Sequence, residues 1–165
     1  NGSMHPRLAL HFDDRYPLGG SHHQKVIVVD DEVAFVGGFD LTGSRWDTSE
    51  HALEDPLRVT PAGDPYPPFH DVAMMVSGPC AAALGELCRE RWRRATGRRL
   101  PGPRAGPRPD DATVSAWPSA IAAAATDIDV AISRTEPAFG GRRADDEVRQ
   151  LHLDAITHAR QFIFA

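Results

Sequence analysis

The chain has 165 residues, which is enough for one domain or for parts of two. Hydrophobic residues make up 41% of it and charged residues 25%, a balance that argues against wholesale disorder. The net charge of −5 excludes a globally basic nucleic-acid binder. No apolar run approaches the ~20 residues of a transmembrane helix, and no signal peptide follows Met4, which favours a cytoplasmic or membrane-peripheral location.

The first part of the chain is predicted to be mostly β-structure followed by one helix. Strands are predicted at residues 8–12, 24–30, 33–36 and 71–76. Residues 24–30 are β-branched and apolar on both faces, which is typical of a buried central strand. Pro79 favours the start of a helix and Gly97 its end. Cys80 and Cys88 would lie about 12 Å apart along this helix, too far for a disulfide, and their spacing is not that of a zinc site.

The stretch from Gly97 to Pro118 is dense in Gly and Pro and predicts a linker. We therefore divide the chain into residues 1–97, a Pro/Gly/Arg-rich linker at 98–118, and residues 119–165. After the linker, residues 128–132 predict a strand, residues 146–160 an amphipathic helix, and residues 161–164 the start of a further strand.

His23 and Lys25 carry the clearest chemical signal. Two positions apart on a strand, they would share one face, with β-carbons about 6–7 Å apart. An imidazole and an ammonium at that spacing can grip one phosphate, because the imidazole attacks phosphorus or moves a proton while the ammonium neutralises oxygen charge. Asp30 has the opposite strand parity and would lie about 23 Å away along an extended strand. We expect Asp30 to shape the turn.

The pattern His23-x-Lys25-x4-Asp30, followed by Gly37-Gly38, resembles the HxKxxxxD signature of the phospholipase D superfamily. Residues 37–48, GGFDLTGSRWDT, are similar to the block after the first motif in two-motif phospholipases D and the cardiolipin-synthase-like branch. Residues 70–72, 78–79 and 90–92 resemble later HDV, GP and ERW segments, and residues 134–135 with the final helix resemble the start of a second half.

The resemblance implies an α/β fold, a mixed sheet flanked by helices, in which two similar halves each donate one HxK to a shared site. Residues 1–97 would be the C-terminal part of the first half and residues 119–165 the truncated beginning of the second. His23 would be either the nucleophile that forms a transient phosphohistidine, which we favour, or its acid–base partner, and Lys25 would clamp the phosphate, without metal or cofactor. The remaining implied roles are phosphate support by Asp40, Arg45 and Asp47, and motif structure for Asp30, Gly37 and Gly38.

Two of these roles stay open on the sequence alone. A carboxylate near a phosphate is repulsive, so Asp40 is expected to orient Lys25 or Arg45 rather than to bind the phosphate. Arg45 and Asp47 are either a support pair beside the phosphate or a salt bridge within a loop. His51 is expected to be a loop residue, His22 to be structural or solvent-exposed, and His70 and Asp71 to be structural more than catalytic.

The leading hypothesis is a phospholipid phosphodiesterase or transphosphatidylase, a phospholipase D-like enzyme. A single HxK would need the remaining half of a parent protein or a second copy to complete the site, so we expect the chain alone to be weakly active or inactive. The alternatives are a superfamily nuclease acting as a homodimer and a non-catalytic fragment. The arginine-rich run at 89–108 could meet lipid head groups at a membrane surface or, less favoured, nucleic acid, but a solvated helix face is the preferred reading.

Overall fold

The computed structural model describes residues 5–103 and 117–164 and contains strands and helices in an α/β arrangement, which confirms the predicted class. In chain order the elements are β1 (Lys25–Val29), β2 (Val33–Gly37), β3 (Ala73–Ser77), α1 (Pro79–Thr96), β4 (Thr135–Glu136), β5 (Asp145–Asp146) and α2 (Glu147–His158). One compact unit is built mainly from His23–Cys88. The other gathers described residues from 5–22, Arg89–Pro101 and 122–164.

Most of the linker predicted at 98–118 lies outside the described residues, which end at 103 and resume at 117. The division into residues 1–97, 98–118 and 119–165 therefore stays a prediction. Within the described residues, no helix combines the length and the apolar character needed to cross a bilayer.

Strands β1 and β2 form a hairpin whose turn follows the predicted position. The Glu32 N–H donates to the Val29 carbonyl at 3.0 Å, and Asp30 and Asp31 between them have φ of 52° and 57°. Asp tolerates this left-handed conformation better than most residues, and two such residues in succession suit the right-handed twist of a hairpin. Asp30 thus lies in the turn, at the end of β1 opposite to Lys25.

The sheet order is β1-β2-β3, with both pairings antiparallel. Among the described strands β2 is the central one, so the prediction that residues 24–30 form a central strand is wrong. Helix α1 covers one face of the sheet through a small cluster: Val26, Val28, Ala34, Val76, Cys80, Ala81, Leu84 and Leu87. The alternate residues of β1 project from the other face, where Ile27 is 42% exposed. The apolar pattern on both faces of β1 therefore does not correspond to two buried faces.

Helix α1 begins and ends where the sequence predicts. Pro79 is its first residue, and the Gly78 carbonyl accepts a hydrogen bond from Ala82 N–H at 3.2 Å. At the other end Gly97 has φ of 73° and donates its N–H to the Arg93 carbonyl at 2.8 Å, the left-handed stop that glycine favours. Cys80 and Cys88 are both partly buried on this helix.

The unit that contains α2 is held together largely by ion pairs. Glu136 on β4 lies 2.6 Å from Arg142 and 3.1 Å from Arg94. Partial burial raises the pKa of Glu136, but the two guanidinium groups outweigh it and hold the pKa below its ordinary value. Two more arginines of the basic run are paired, Arg91 with Asp13 and Arg93 with Glu90. Three arginines of the run therefore have acidic partners within this unit.

After the linker the predicted helix is present, whereas three of the predicted strands are absent from the described structure. Helix α2 lies within the predicted range 146–160. Residues 8–12, 128–132 and 161–164 form no strand, because a strand requires a ladder partner and none of these segments has one among the described residues. Their apolar side chains are exposed, as Phe12 at 84% and Phe164 at 89% illustrate. The large apolar residues Leu151, Leu153 and Ile156 of α2 are exposed as well.

Candidate functional site

Lys25 is the first residue of β1, and its side chain projects from the sheet face opposite to α1. Among the described residues, its ammonium has two polar contacts. It donates a hydrogen bond to the His23 carbonyl at 2.8 Å and lies 3.1 Å from Oδ1 of Asp40. The side chain is only 15% exposed, and it is the single lysine of the sequence. Lys25 is therefore a positioned, half-buried cation.

A cleft of about 370 Å³ surrounds this ammonium and is called the Lys25 cleft below. Apart from Lys25 and Asp40 it is lined mainly by apolar side chains and backbone. The lining comprises Gln24, Lys25, Val26, Ile27, Phe35, Val36, Gly37, Phe39, Asp40, Leu41 and Ala73. A phosphate entering the cleft would meet one cation, so it would compete with the Asp40 carboxylate for Lys25.

His23 lies before β1 and is exposed, so the prediction that it shares a strand with Lys25 is wrong in this detail. The reason is the register of the hairpin. The ladder begins at the pair Lys25–Gly37, and in the same register His23 would lie opposite Phe39, which is not in a strand. His23 has no ladder partner there. Among the described residues its imidazole has no hydrogen-bond partner, and it does not line the Lys25 cleft.

The Gly37-Gly38 pair allows two backbones to come close. A β-carbon on Gly37 would lie 2.4 Å from the Val72 carbonyl oxygen and 2.6 Å from the α-carbon of Ala73. A β-carbon on Gly38 would lie 2.5 Å from Oδ1 of Asp71. All three distances are shorter than van der Waals contact; at Gly37 the contacts are with backbone, so glycine is required there, whereas at Gly38 the Asp71 side chain would have to move. This close approach sets the start of β3 beside the Lys25 cleft.

Asp47 does not pair with Arg45, as the sequence suggested it could. Its carboxylate instead accepts four hydrogen bonds. The donors are Arg58 Nη1 at 2.9 Å, Thr48 N–H at 2.8 Å, Phe69 N–H at 2.8 Å and His51 Nδ1 at 3.1 Å. Burial raises the pKa of Asp47, but these donors outweigh it and hold the pKa well below its ordinary range. Asp47 is thus a saturated, ionised acceptor that organises its loop.

Arg58 carries the rest of this network and was missed by the sequence reasoning. It is 2% exposed and uses all three guanidinium nitrogens. Its acceptors are Asp47, the Tyr66 carbonyl at 3.0 Å, and the Ala52 and Leu53 carbonyls at 2.8 Å each. A lone arginine in a loop gives no periodic signal, so only the chain path around it reveals its role.

A second cavity of about 270 Å³ lies beside the first and is called the histidine cavity below. The ring of Phe39 lines both cavities. Arg45 stacks over the Phe69 ring at 4.9 Å, and His51 and His70 face each other with Nε2 and Nδ1 3.3 Å apart. The two histidines, set aside on the sequence as loop and strand-entry residues, are brought together here. Within residues 5–103 and 117–164, no group of three or more potential ligands is placed to hold a metal.

The sequence-predicted residues thus fall into two adjacent places. Lys25, Asp40 and Gly37 line the Lys25 cleft, whereas Arg45 and Asp47 line the histidine cavity. His23 is exposed, and its carbonyl accepts the hydrogen bond from Lys25. Asp30 is at the far end of the hairpin. The Lys25 cleft can provide one ammonium group to a phosphate, and the nearest imidazole along the sequence is that of His23.

A protein-family model and several known proteins are similar to this chain. A family model described as Phospholipase D matches residues 13–165. Phospholipase D B of Dictyostelium discoideum is 33% identical over 106 residues, which cover 49% of this chain and 9% of that protein. Phospholipase D gamma 1 of Arabidopsis thaliana is 37% identical over 97 residues, 46% of this chain and 11% of that protein. Phospholipase D alpha 1 of Oryza sativa subsp. japonica is 33% identical over 106 residues, 48% of this chain and 13% of that protein.

The chain spans about a tenth of the length of these curated relatives. No solved structure matches it. The family model, however, covers far more than half of the chain, including the HxKxxxxD motif, both cavities and helix α2. The chain belongs to the phospholipase D family.

Proposed function

We propose that this chain contributes the HxK half-site of a phospholipase D-type phosphodiesterase that acts on phospholipids. The observation that carries the proposal is the half-buried ammonium of Lys25, 3.1 Å from Asp40 in an otherwise largely apolar cleft. An ammonium in such a place interacts more strongly with a phosphate than one in open water. The names of the relatives, all phospholipases D, support the phospholipid as the substrate.

In this proposal Lys25 neutralises a non-bridging oxygen and His23 is the nucleophile. A ring nitrogen of His23 attacks phosphorus, the N–P bond forms, and the P–O bond to the leaving alcohol breaks with its electron pair on oxygen. Water then attacks the phosphohistidine and returns the imidazole. Before the substrate binds, Asp40 keeps the Lys25 ammonium oriented. The phosphate then replaces the Asp40 carboxylate as the partner of that ammonium.

An alkyl leaving group needs a proton, and this chain has one HxK. We propose that the second imidazole comes from the remaining part of a longer protein or from a second copy of the chain. Without that general acid the rate would fall by about 10²–10⁴-fold. A homodimer with one HxK per chain would equally suit a nuclease, which is the alternative function.

A finer proposal concerns the acceptor. The block GGFDLTGSRWDT led us to group the chain with two-motif and cardiolipin-synthase-like members, in which an alcohol can replace water as the acceptor. A primary alcohol such as ethanol, added to a reaction of the completed site, would then yield the phosphatidyl alcohol. If the reaction gives only the hydrolysis product, the proposal of transfer to an alcohol is not supported.

The experiment uses a substrate that needs no general acid. An aryl phosphodiester such as p-nitrophenylphosphocholine releases a weakly basic phenolate, so the full chain should release about one phenolate per molecule in a burst. Mass spectrometry should locate the phosphoryl adduct on His23. His23→Ala should abolish burst and adduct, Lys25→Met should slow the burst, and His152→Ala, on α2, should leave both unchanged. A burst that persists in His23→Ala would overturn the assignment.

A further inference from the structure

The histidine cavity has a defined hydrogen-bond order that runs from a carboxylate to an open imidazole nitrogen. Asp47 is ionised and accepts four hydrogen bonds, so it offers no proton to His51. The His51 Nδ1 at 3.1 Å must therefore be the donor. In neutral His51 the other nitrogen, Nε2, is then an acceptor, and His70 Nδ1 at 3.3 Å donates to it. Nε2 of His70 is left as a proton acceptor at the cavity.

One added proton would make this histidine pair a cation. The charged groups around the pair are Arg45, Asp47 and Asp71 in the cavity lining, with Arg58 bonded to Asp47. Two arginines and two aspartates sum to zero, so the site is neutral when both imidazoles are neutral. It carries a charge of about +1 when one proton is bound by the pair. The charge of the cavity is thus set by the histidines.

Arg45 provides the second half of a binding site. Its guanidinium lies over the Phe69 ring, and among the described residues its one hydrogen bond is a long one, 3.4 Å, to the Ser44 carbonyl. No carboxylate of the described chain pairs with it. Stacking on a ring leaves the edge of the guanidinium free for two parallel hydrogen bonds to an oxyanion. A cationic ligand is disfavoured, because Arg45 already occupies the face of Phe69.

We propose that Arg45, His51 and His70 form an oxyanion-binding site that takes up a proton when it binds. The ligand is an anionic phosphate or carboxylate group, either as a free ion or as part of a lipid head group. The site is separate from the Lys25 cleft and requires no chemistry at His23. A molecule bound in both cavities would pass the ring of Phe39, which lines each of them.

The first test is calorimetry with inorganic sulfate, an oxyanion that does not titrate between pH 6 and pH 8, on the full chain at these two pH values, in buffers with different ionisation enthalpies. We expect binding that is at least several-fold tighter at pH 6 than at pH 8. The dependence of the heat on the buffer should give net proton uptake in wild type and in Lys25→Met. In the Lys25→Met background, which removes the cation of the other cleft, His70→Gln should remove the uptake and Arg45→Gln should remove the binding, whereas His152→Gln should change neither. Binding that is unchanged in His70→Gln and Arg45→Gln would overturn the proposal.

A second readout needs no variant. In proton NMR spectra the ring signals of His51 and His70 should shift together on adding phosphate, and a titration that moves neither would also overturn the proposal. Vesicles distinguish the source of the oxyanion. Retention on phosphatidylserine vesicles but not on phosphatidylcholine vesicles, lost in Arg45→Gln, assigns a lipid head group. Binding of phosphate without vesicle retention assigns a free ion. If neither phosphate nor vesicles bind, the proposed site is overturned. The burst assay at His23 is independent of all these outcomes.

Discussion

The ammonium of Lys25 and the carboxylate of Asp40 face each other in the Lys25 cleft, with Nζ and Oδ1 3.1 Å apart. Asp40 is 42% exposed and Lys25 15%, so solvent weakens the pair without removing it. The cleft therefore holds its cation by a contact that an incoming phosphate can replace. The strength of that contact decides how readily a phosphate binds.

The replacement Asp40→Asn should make phosphate binding to Lys25 tighter. The carboxylate competes with the ligand, and a partly exposed ion pair contributes about 0.2–1 kcal/mol, so the gain should be at most about fivefold. Lys25 is the only lysine, so ¹⁵N-lysine labelling gives one side-chain ammonium signal that reports the binding directly. Asp64→Asn, in a loop outside the cleft, is the control. Weaker binding in Asp40→Asn would mean that Asp40 organises the lysine rather than competing for it.

Arg58 should be among the most sensitive positions for stability. Arg58→Ala removes one of the four donors to the Asp47 carboxylate and the Arg58 hydrogen bonds to three carbonyl oxygens, in a place that is 2% exposed. We expect the melting temperature to fall by about 5–10 °C. Arg58→Lys keeps the charge but not the planar fork, so it should restore only part of the loss. Circular dichroism melts measure both, and equal melting of Arg58→Ala and wild type would contradict the role given to the network.

Gly37→Ala should destabilise the sheet, whereas Gly102→Ala should not. The β-carbon of the first would meet the Val72 carbonyl at 2.4 Å, so strands β2 and β3 must move apart, at a cost of about 1–3 kcal/mol. Nothing lies within 4 Å of a β-carbon on Gly102. Urea unfolding of the two variants compares them directly. A similar midpoint for both would mean that the close approach at Gly37 is easily relaxed.

The stabilising effect of Asp47 should depend on pH in one direction. Its pKa is lowered in the folded chain, so below the ordinary value of 3.8 the unfolded chain binds a proton that the folded chain does not. The contribution is fully present above that value and is lost as the pH falls through the folded pKa. The difference in melting temperature between wild type and Asp47→Asn should therefore be largest near neutrality and shrink below about pH 4.

The matched control for this titration is Asp14→Asn. The Asp14 side chain is exposed, so the replacement should give a small difference from wild type across the same pH range. A wild-type-to-Asp47→Asn difference that grows as the pH falls would contradict the sign derived above.

The family and the local elements of the first unit were readable from the sequence. The HxKxxxxD spacing, the Gly37-Gly38 pair and the following block led to the phospholipase D family, which the family model confirms. The hairpin turn at Asp30 and the limits of α1 at Pro79 and Gly97 were also predicted, because Asp, Pro and Gly act through their own backbone preferences. Such preferences need no knowledge of distant residues.

Only the tertiary structure decided which strands pair and which side chains meet. Residues 8–12 and 128–132 have strand-like composition, but a strand exists through hydrogen bonds to another strand, and the sequence does not name the partner. In the same way His51 and His70, 19 residues apart, meet because Asp47 draws a loop around Arg58 and accepts the Phe69 N–H beside His70. The spacing of residues along the chain does not predict this contact, because the contact depends on where the loop returns in space.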